Sequence, residues 1–163
     1  MDPLQRRLML RESNRRLESA RLLKTAGDTS DSAYLLELLA FELLLKLLVE
    51  ERTGKSAPRH HRYAEIFELL PLGVRREVLE RAAARIGPSA LSSDPNAVLH
   101  ELAKNFVELR YPHQKYIGHS EDEYLALGER WLEEGAPLER ATFRYYPEEL
   151  LGLLHAAREV VNP

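Results

Sequence analysis

The sequence predicts an all-α protein, folded as a single helical bundle of about six or seven helices. Apolar residues recur at helical spacing along most of the chain, and residues 31–52 form a predicted helix that is apolar nearly all round. From residue 33 to residue 49 only four side chains interrupt the apolar run: Tyr34, Glu37, Glu42 and Lys46. Because such a helix buries every face, we expect residues 31–52 to be the centre of the bundle.

The helices on either side of this centre are marked by their own signals. A first helix is predicted for residues 3–26, ending at Gly27. Its expected inner face is Leu4, Leu8, Leu22 and Leu23. Later helices are predicted to begin at Asp94 before Pro95, at a capping box of Ser120 with Glu123, and at Pro147.

No long linker or internal repeat divides the chain, so residues 1–163 are predicted to be one domain. Residues 126–163 are expected to add further helices at its C-terminal end. The stretch 141–146 is the one plausible strand, but a lone strand has nothing with which to pair. The predicted bundle is therefore entirely helical.

Composition excludes several kinds of site. The chain has no cysteine, which rules out disulfides, a thiol nucleophile and thiolate metal ligands. The adjacent His60 and His61, and the pair His113 and His119, have no carboxylate at ligand spacing beside them, so we expect no metal and no cofactor. The first residues lack the apolar core of a secretory signal, and no span suits a membrane, so the expected location is the cytoplasm.

Charge is distributed unevenly although the net charge is only −3. Residues 1–26 carry seven Lys or Arg against three Asp or Glu, whereas residues 121–150 carry nine Asp or Glu against three Arg. The basic and acidic segments could neutralise each other within the fold or across a dimer, or the basic helix could meet phosphates. The low net charge argues against a general nucleic-acid coat.

Two polar features interrupt the apolar pattern and are candidates for function. Glu42 and Lys46 lie one turn apart on the central helix, in the favourable order, and are either an internal ion pair or the lining of a polar cleft. Arg110 is expected on the core stripe of its helix, within about 20° of Leu99 at 100° per residue. An arginine there needs a carboxylate, helix carbonyls or an anionic ligand, and we expect the segment after Pro112 to fold back over it.

Two stretches together resemble the HEPN family, the helical-bundle proteins of prokaryotes and higher eukaryotes. The first is SAYLLELLAFELLLKLLVEERTG followed by RHHRYAEIFELLP, which is similar to the family's long central helix and the histidine-led helix after it. The second is NFVELRYPHQKY, which resembles the late helix ending in Phe-x-x-x-Arg-Tyr. The resemblance is strongest over residues 10–125.

This resemblance implies a bundle that commonly forms dimers, often bringing Arg/His motifs into a shared cleft. Many members are metal-independent ribonucleases, including toxins of toxin–antitoxin pairs and antiviral effectors, while others bind nucleotides or act as scaffolds. The catalytic signature places a histidine after four to six residues that follow the arginine. Here two residues separate Arg110 from His113 and eight separate it from His119, so the motif is degenerate.

Three functions are therefore compared. The preferred one is a homodimeric protein that binds a nucleotide, RNA or a partner protein without catalysis. The alternatives are a metal-independent endoribonuclease using Arg110 with His113 or His119, and a helical protein-interaction module. The expected ligand-binding residues are Arg110, Tyr111, His113, Lys115 and Tyr116, with Glu42 and Lys46 as supporting polar groups. The expected dimer is built partly from the helix that ends at Arg110.

Overall fold

The computed structural model describes residues 1–161, and this part of the chain contains seven α-helices and no strand. They are α1 (Pro3–Thr25), α2 (Ser32–Thr53), α3 (Tyr63–Glu68), α4 (Leu72–Ile86), α5 (Pro95–Glu108), α6 (Glu121–Glu133) and α7 (Pro147–Val161). Short 3₁₀ turns lie at Ala90–Ser92, Pro112–Tyr116 and Leu138–Arg140. The predicted all-α bundle is confirmed. No helix within residues 1–161 is both long and apolar enough to cross a bilayer.

Helix α2 is the centre of the bundle, as predicted for residues 31–52. It contacts α1, α3, α5 and α7, and half of its residues are buried. Helix α4 packs on α7 and closes the bundle on one side. One continuous core joins α2, α3, α4, α5 and α7, with Leu38, Phe41, Leu99 and Leu153 almost completely excluded from solvent. Burial of this apolar surface is the main force that holds the helices together.

The predicted helix ends are confirmed where side-chain caps mark them. The carboxylate of Asp94 accepts a hydrogen bond from the Ala97 amide at 2.9 Å, and Ser120 and Glu123 form both bonds of the capping box. Gly54 follows α2 with φ 69°, in the left-handed region that favours glycine, and it ends the helix. Each of these helix ends is determined by a few residues that are close together in the chain.

The predicted inner face of α1 is wrong for three of its four leucines, and the fourth, Leu23, is half-buried. Leu4, Leu8 and Leu22 are 53%, 39% and 55% exposed, and the helix instead presents Ser13 and Ala20 to α2. Met9, Leu10 and Leu17 pack against the core around these two small residues. The Ser13 hydroxyl donates to the Ala40 carbonyl at 3.1 Å, so a polar residue lies at the centre of the contact. Apolar residues occupy two faces of α1, and their spacing alone does not identify the buried one.

Helix α6 is peripheral: none of its residues is fully buried. An irregular segment follows it, and the Trp131 indole donates to the Pro137 carbonyl at 2.9 Å. The only plausible strand, 141–146, is part of this segment. It is fastened to the bundle by the Asn105 amide, which donates to the Arg144 carbonyl at 2.7 Å, and by the Tyr145 hydroxyl, which donates to Asp31 at 2.7 Å.

Gly152 marks the closest approach of α7 to α4. A Cβ at this position would lie 3.0 Å from the Ala82 carbonyl oxygen and 3.1 Å from Cγ2 of Ile86. We expect Gly152→Ala to lower the free energy of unfolding by about 1–3 kcal/mol, because the backbone carbonyl cannot move away cheaply. Denaturant unfolding measures this change.

Gly128→Ala is the matched control, since Gly128 also lies within a helix and nothing stands within 4 Å of its added Cβ. There the same substitution should raise stability by about 0.5–1 kcal/mol, through helix propensity. An unchanged stability for Gly152→Ala would show that α4 and α7 can separate at no cost.

Candidate functional site

The buried carboxylate of Glu42 is the first element of the site. Glu42 lies on α2 with only 5% of its surface exposed. Lys46 Nζ donates to Oε1 at 2.7 Å, one turn further along the helix. His61 Nδ1 lies 2.8 Å from Oε2 and 3.0 Å from Oε1, so the imidazole donates to the carboxylate from the loop before α3. The predicted Glu42–Lys46 pair is present, and His61 is a third member.

Tyr63 belongs to the same cluster but has a structural task. Burial raises the pKa of the Tyr63 phenol well above its usual value, and the negative charge of Glu42 raises this pKa further. The hydroxyl therefore stays protonated near neutral pH and donates to the Leu38 carbonyl at 3.2 Å. This hydrogen bond holds α3 against α2.

The ring of Phe106 connects this cluster to Arg110. The His61 ring packs edge-on against Phe106 with 5.0 Å between centroids, and the guanidinium carbon of Arg110 lies 4.8 Å from the Phe106 centroid. This second contact is a cation–π interaction. One aromatic ring on α5 thus contacts both a histidine and an arginine.

The spacing from Leu99 predicted that Arg110 lies on the core stripe of its helix. This prediction is wrong. Helix α5 ends at Glu108, and Arg110 is an exposed residue beyond that end. Pro112 disfavours the α-helical conformation of the residue before it, and Tyr111 has φ −139° and ψ 58°. Among residues 1–161, no carboxylate forms an ion pair or hydrogen bond with Arg110. Its charge therefore remains available to an anion.

Arg110 and His61 each line a different depression in the protein surface. Arg110 and Phe106 line a groove of about 460 Å³ with Leu35, Leu36 and Leu39 of α2. His61 lines a cleft of about 560 Å³ between α3 and α5, together with His60, His100 and Lys104. In that cleft Lys104 lies 3.5 Å from Glu101, so part of its charge is already compensated.

The other predicted site residues lie in the 3₁₀ turn Pro112–Tyr116 or directly beside it, and His119 comes three residues after its end. His113 packs near the Tyr111 ring, at 6.4 Å between centroids, and His119 near the Tyr116 ring, at 6.5 Å. Lys115 Nζ donates to Glu108 at 2.7 Å, and Tyr116 packs on Tyr124 of α6. Within residues 1–161 neither histidine hydrogen-bonds to Arg110. The 3₁₀ turn begins at Pro112. That the segment after Pro112 folds back over Arg110 stays a prediction.

His61 is the site residue that sequence reasoning missed. A buried glutamate requires hydrogen-bond donors, and an adjacent pair of histidines follows in the next loop, so a signal existed. Spacing could not show which histidine turns inward. In the structure His60 lies 3.9 Å from Glu65, whereas His61 faces Glu42.

No group of three or more histidine, aspartate or glutamate side chains in the described part of the chain has a metal-binding arrangement.

The fold and site together define a helical bundle with an arginine just beyond the end of a late helix. The family model of the HEPN domain matches residues 7–134, and this chain belongs to that family. Comparisons with curated proteins and with solved structures gave no match.

The Glu42 cluster gives an ordered pair of stability effects. Glu42→Ala leaves the ammonium of the largely buried Lys46, and Nδ1 of His61, without their acceptor, and we expect a loss of about 3 kcal/mol. Lys46→Ala leaves the carboxylate still bonded to His61, and the lysine side chain is 16% exposed, so we expect a loss of about 1 kcal/mol.

Denaturant midpoints of the two variants test this order, with Glu65→Ala as an exposed control on α3. The reverse order, or two midpoints near that of the wild type, would mean that water solvates the Glu42 carboxylate.

Proposed function

We propose that this HEPN protein binds a nucleotide or single-stranded RNA, with Arg110 as its main phosphate contact. The observation that carries the proposal is an exposed guanidinium stacked on Phe106, without a carboxylate partner in the described chain, while the same ring contacts a histidine that is held by a buried glutamate. Arginine binds phosphate oxygens through two parallel N–H donors, and this geometry favours it over a general point charge.

Three features of the surroundings support a nucleotide as the ligand class. The groove beside Arg110 is apolar, with leucines of α2 on its wall, and suits the face of a base. The Tyr111 ring, 56% exposed on the residue after Arg110, offers a stacking surface. Arg59, in the loop that carries His61, is exposed and makes no ion pair within residues 1–161. It adds a positive charge two residues before His61 in the chain.

Arg110→Ala should weaken binding of a fluorescein-labelled single-stranded RNA, or of ATP, by tenfold or more, a loss of at least about 1.4 kcal/mol. Fluorescence anisotropy measures the affinity, and the salt dependence of binding should become shallower. Arg110→Lys should recover part of the affinity, because it restores the charge without the two parallel donors.

Arg76→Ala is the matched control, since Arg76 is an exposed arginine on α4 whose one ion pair within residues 1–161 is with Glu80. It should bind RNA like the wild type. Circular dichroism must show unchanged helix content in Arg110→Ala. Full RNA affinity in a folded Arg110→Ala protein would refute Arg110 as the phosphate contact.

A second candidate function, a metal-independent endoribonuclease, is favoured by the Glu42–His61 pair. A carboxylate bonded to Nδ1 fixes the orientation of an imidazole and leaves Nε2 as the atom that exchanges a proton. The His61 side chain is 42% exposed, so Nε2 can reach a ligand in the cleft. Cleavage would need the phosphodiester to reach from Arg110 past Phe106 to this atom, which is why we rank binding first.

If the protein cleaves RNA in the presence of EDTA, His61→Ala should abolish cleavage, whereas His113→Ala and His119→Ala should retain most of it. Cleavage rates on a labelled RNA, with binding measured in parallel, separate the two effects. Loss of cleavage in His113→Ala with His61→Ala still active would instead support catalysis by Arg110 and His113.

A further inference from the structure

A cleft of about 510 Å³ lies between α6 and the irregular segment that follows this helix. Its volume is in the range of sites that hold small organic molecules. The second wall, residues 140–145, lies beyond residues 7–134, which match the HEPN domain model. Arg110 does not line this cleft. Five of the side chains that do are aromatic: Tyr116, Tyr124, Trp131, Phe143 and Tyr145.

Contacts outside the cleft hold two of these rings in place. The Trp131 indole donates to the Pro137 carbonyl at 2.9 Å. The Tyr145 ring packs on the Tyr34 ring with 5.3 Å between centroids, and its hydroxyl donates to Asp31 at 2.7 Å. Rings that are already fixed lose little conformational entropy when a ligand binds between them. The aromatic walls of the cleft are therefore preorganised.

The electrostatic surroundings of the cleft are negative. Among the described residues, Arg140 is the one cation that lines it, and its Nη1 pairs with Glu134 at 2.7 Å. Residues 121–150 contain nine Asp or Glu against three Arg, an excess of six negative charges. Glu121 lies one turn before Tyr124, within about 60° of it at 100° per residue. Glu121 forms no ion pair within residues 1–161. The potential at the cleft therefore attracts cations and repels anions.

We propose that this cleft binds a small organic cation with an apolar or aromatic body, of the quaternary ammonium class. The face of an aromatic ring carries a negative potential that attracts such a cation. A quaternary ammonium group has no N–H to donate, so aromatic faces can replace the water around it. The carboxylates of α6 raise the concentration of cations at the cleft. The proposal goes beyond phosphate binding at Arg110 and does not depend on it.

Trp131 is the only tryptophan of the chain, so its fluorescence reports on this cleft directly. The probe is benzyltrimethylammonium, with benzyl alcohol as the neutral compound and phenylacetate as the anionic compound. Fluorescence and calorimetric titrations should show that the cation binds about tenfold more tightly than either of the other two. Its affinity should fall as the NaCl concentration rises, because salt screens the carboxylates.

Gly128→Leu tests the location of the site. Gly128 lines the cleft on α6, and a Cβ there would meet nothing within 4 Å, so a leucine side chain occupies the cleft without straining the helix. Circular dichroism should show unchanged helix content, while the affinity for benzyltrimethylammonium should fall about tenfold or more. Gly73→Leu is the matched control, since Gly73 lies on α4, has equally open space and does not line the cleft. It should bind the probe like the wild type.

Glu121→Gln tests the contribution of charge and should weaken binding of the cation about two- to threefold, whereas Glu80→Gln on α4 should not. The proposal is overturned if benzyltrimethylammonium shows no saturable binding or if Gly128→Leu keeps the affinity of the wild type. It is also overturned if benzyl alcohol or phenylacetate binds as tightly as the cation. Tighter binding of phenylacetate would assign the cleft to an anion held by Arg140.

Discussion

The structure depends on burying α2 on all sides. A helix this apolar must be covered by neighbours, and α1, α3, α5 and α7 all contact it. Burial of α2 also removes the Glu42 carboxylate from water. This is unfavourable unless groups within the protein donate hydrogen bonds to the carboxylate. Lys46 supplies one from the same helix, and His61 supplies the other from the next loop. The buried Glu42 carboxylate thereby attaches the loop before α3 to the core.

The arrangement of the candidate site follows from this attachment. Tyr63 comes two residues after His61, so the bond to Glu42 also determines where α3 begins and brings the Tyr63 ring to 6.2 Å from Phe106. Phe106 is then packed by His61 and Tyr63, and its remaining surface receives Arg110. Pro112 stops α5 two residues before the arginine, which lets the side chain turn back over the ring one helical turn earlier.

Local patterns could predict most of the fold and only part of the site. The bounds of α2 and the caps of α5 and α6 depend on neighbouring residues, so the sequence contains that information. The buried face of α1 and the partner of Glu42 depend on contacts across the chain. Leu4 and Leu8 match helical spacing as well as Met9 and Leu17 do, and only the close approach of Ser13 to Ala40 decides between the two faces. His60 and His61 are equivalent by spacing, because the irregular loop that carries them has no periodicity.

The surroundings of each histidine determine how well it is suited to proton transfer. Proton transfer requires an imidazole held in one orientation, since a group that samples many orientations is seldom within reach of its proton. His113 and His119 lie on an exposed turn against single tyrosine rings, whereas His61 has Nδ1 fixed by a buried carboxylate and its ring against Phe106. Preorganisation thus favours His61 for any chemistry at this site. Arg110 meets the requirement for holding a phosphate, because cation–π stacking fixes its guanidinium without neutralising its charge.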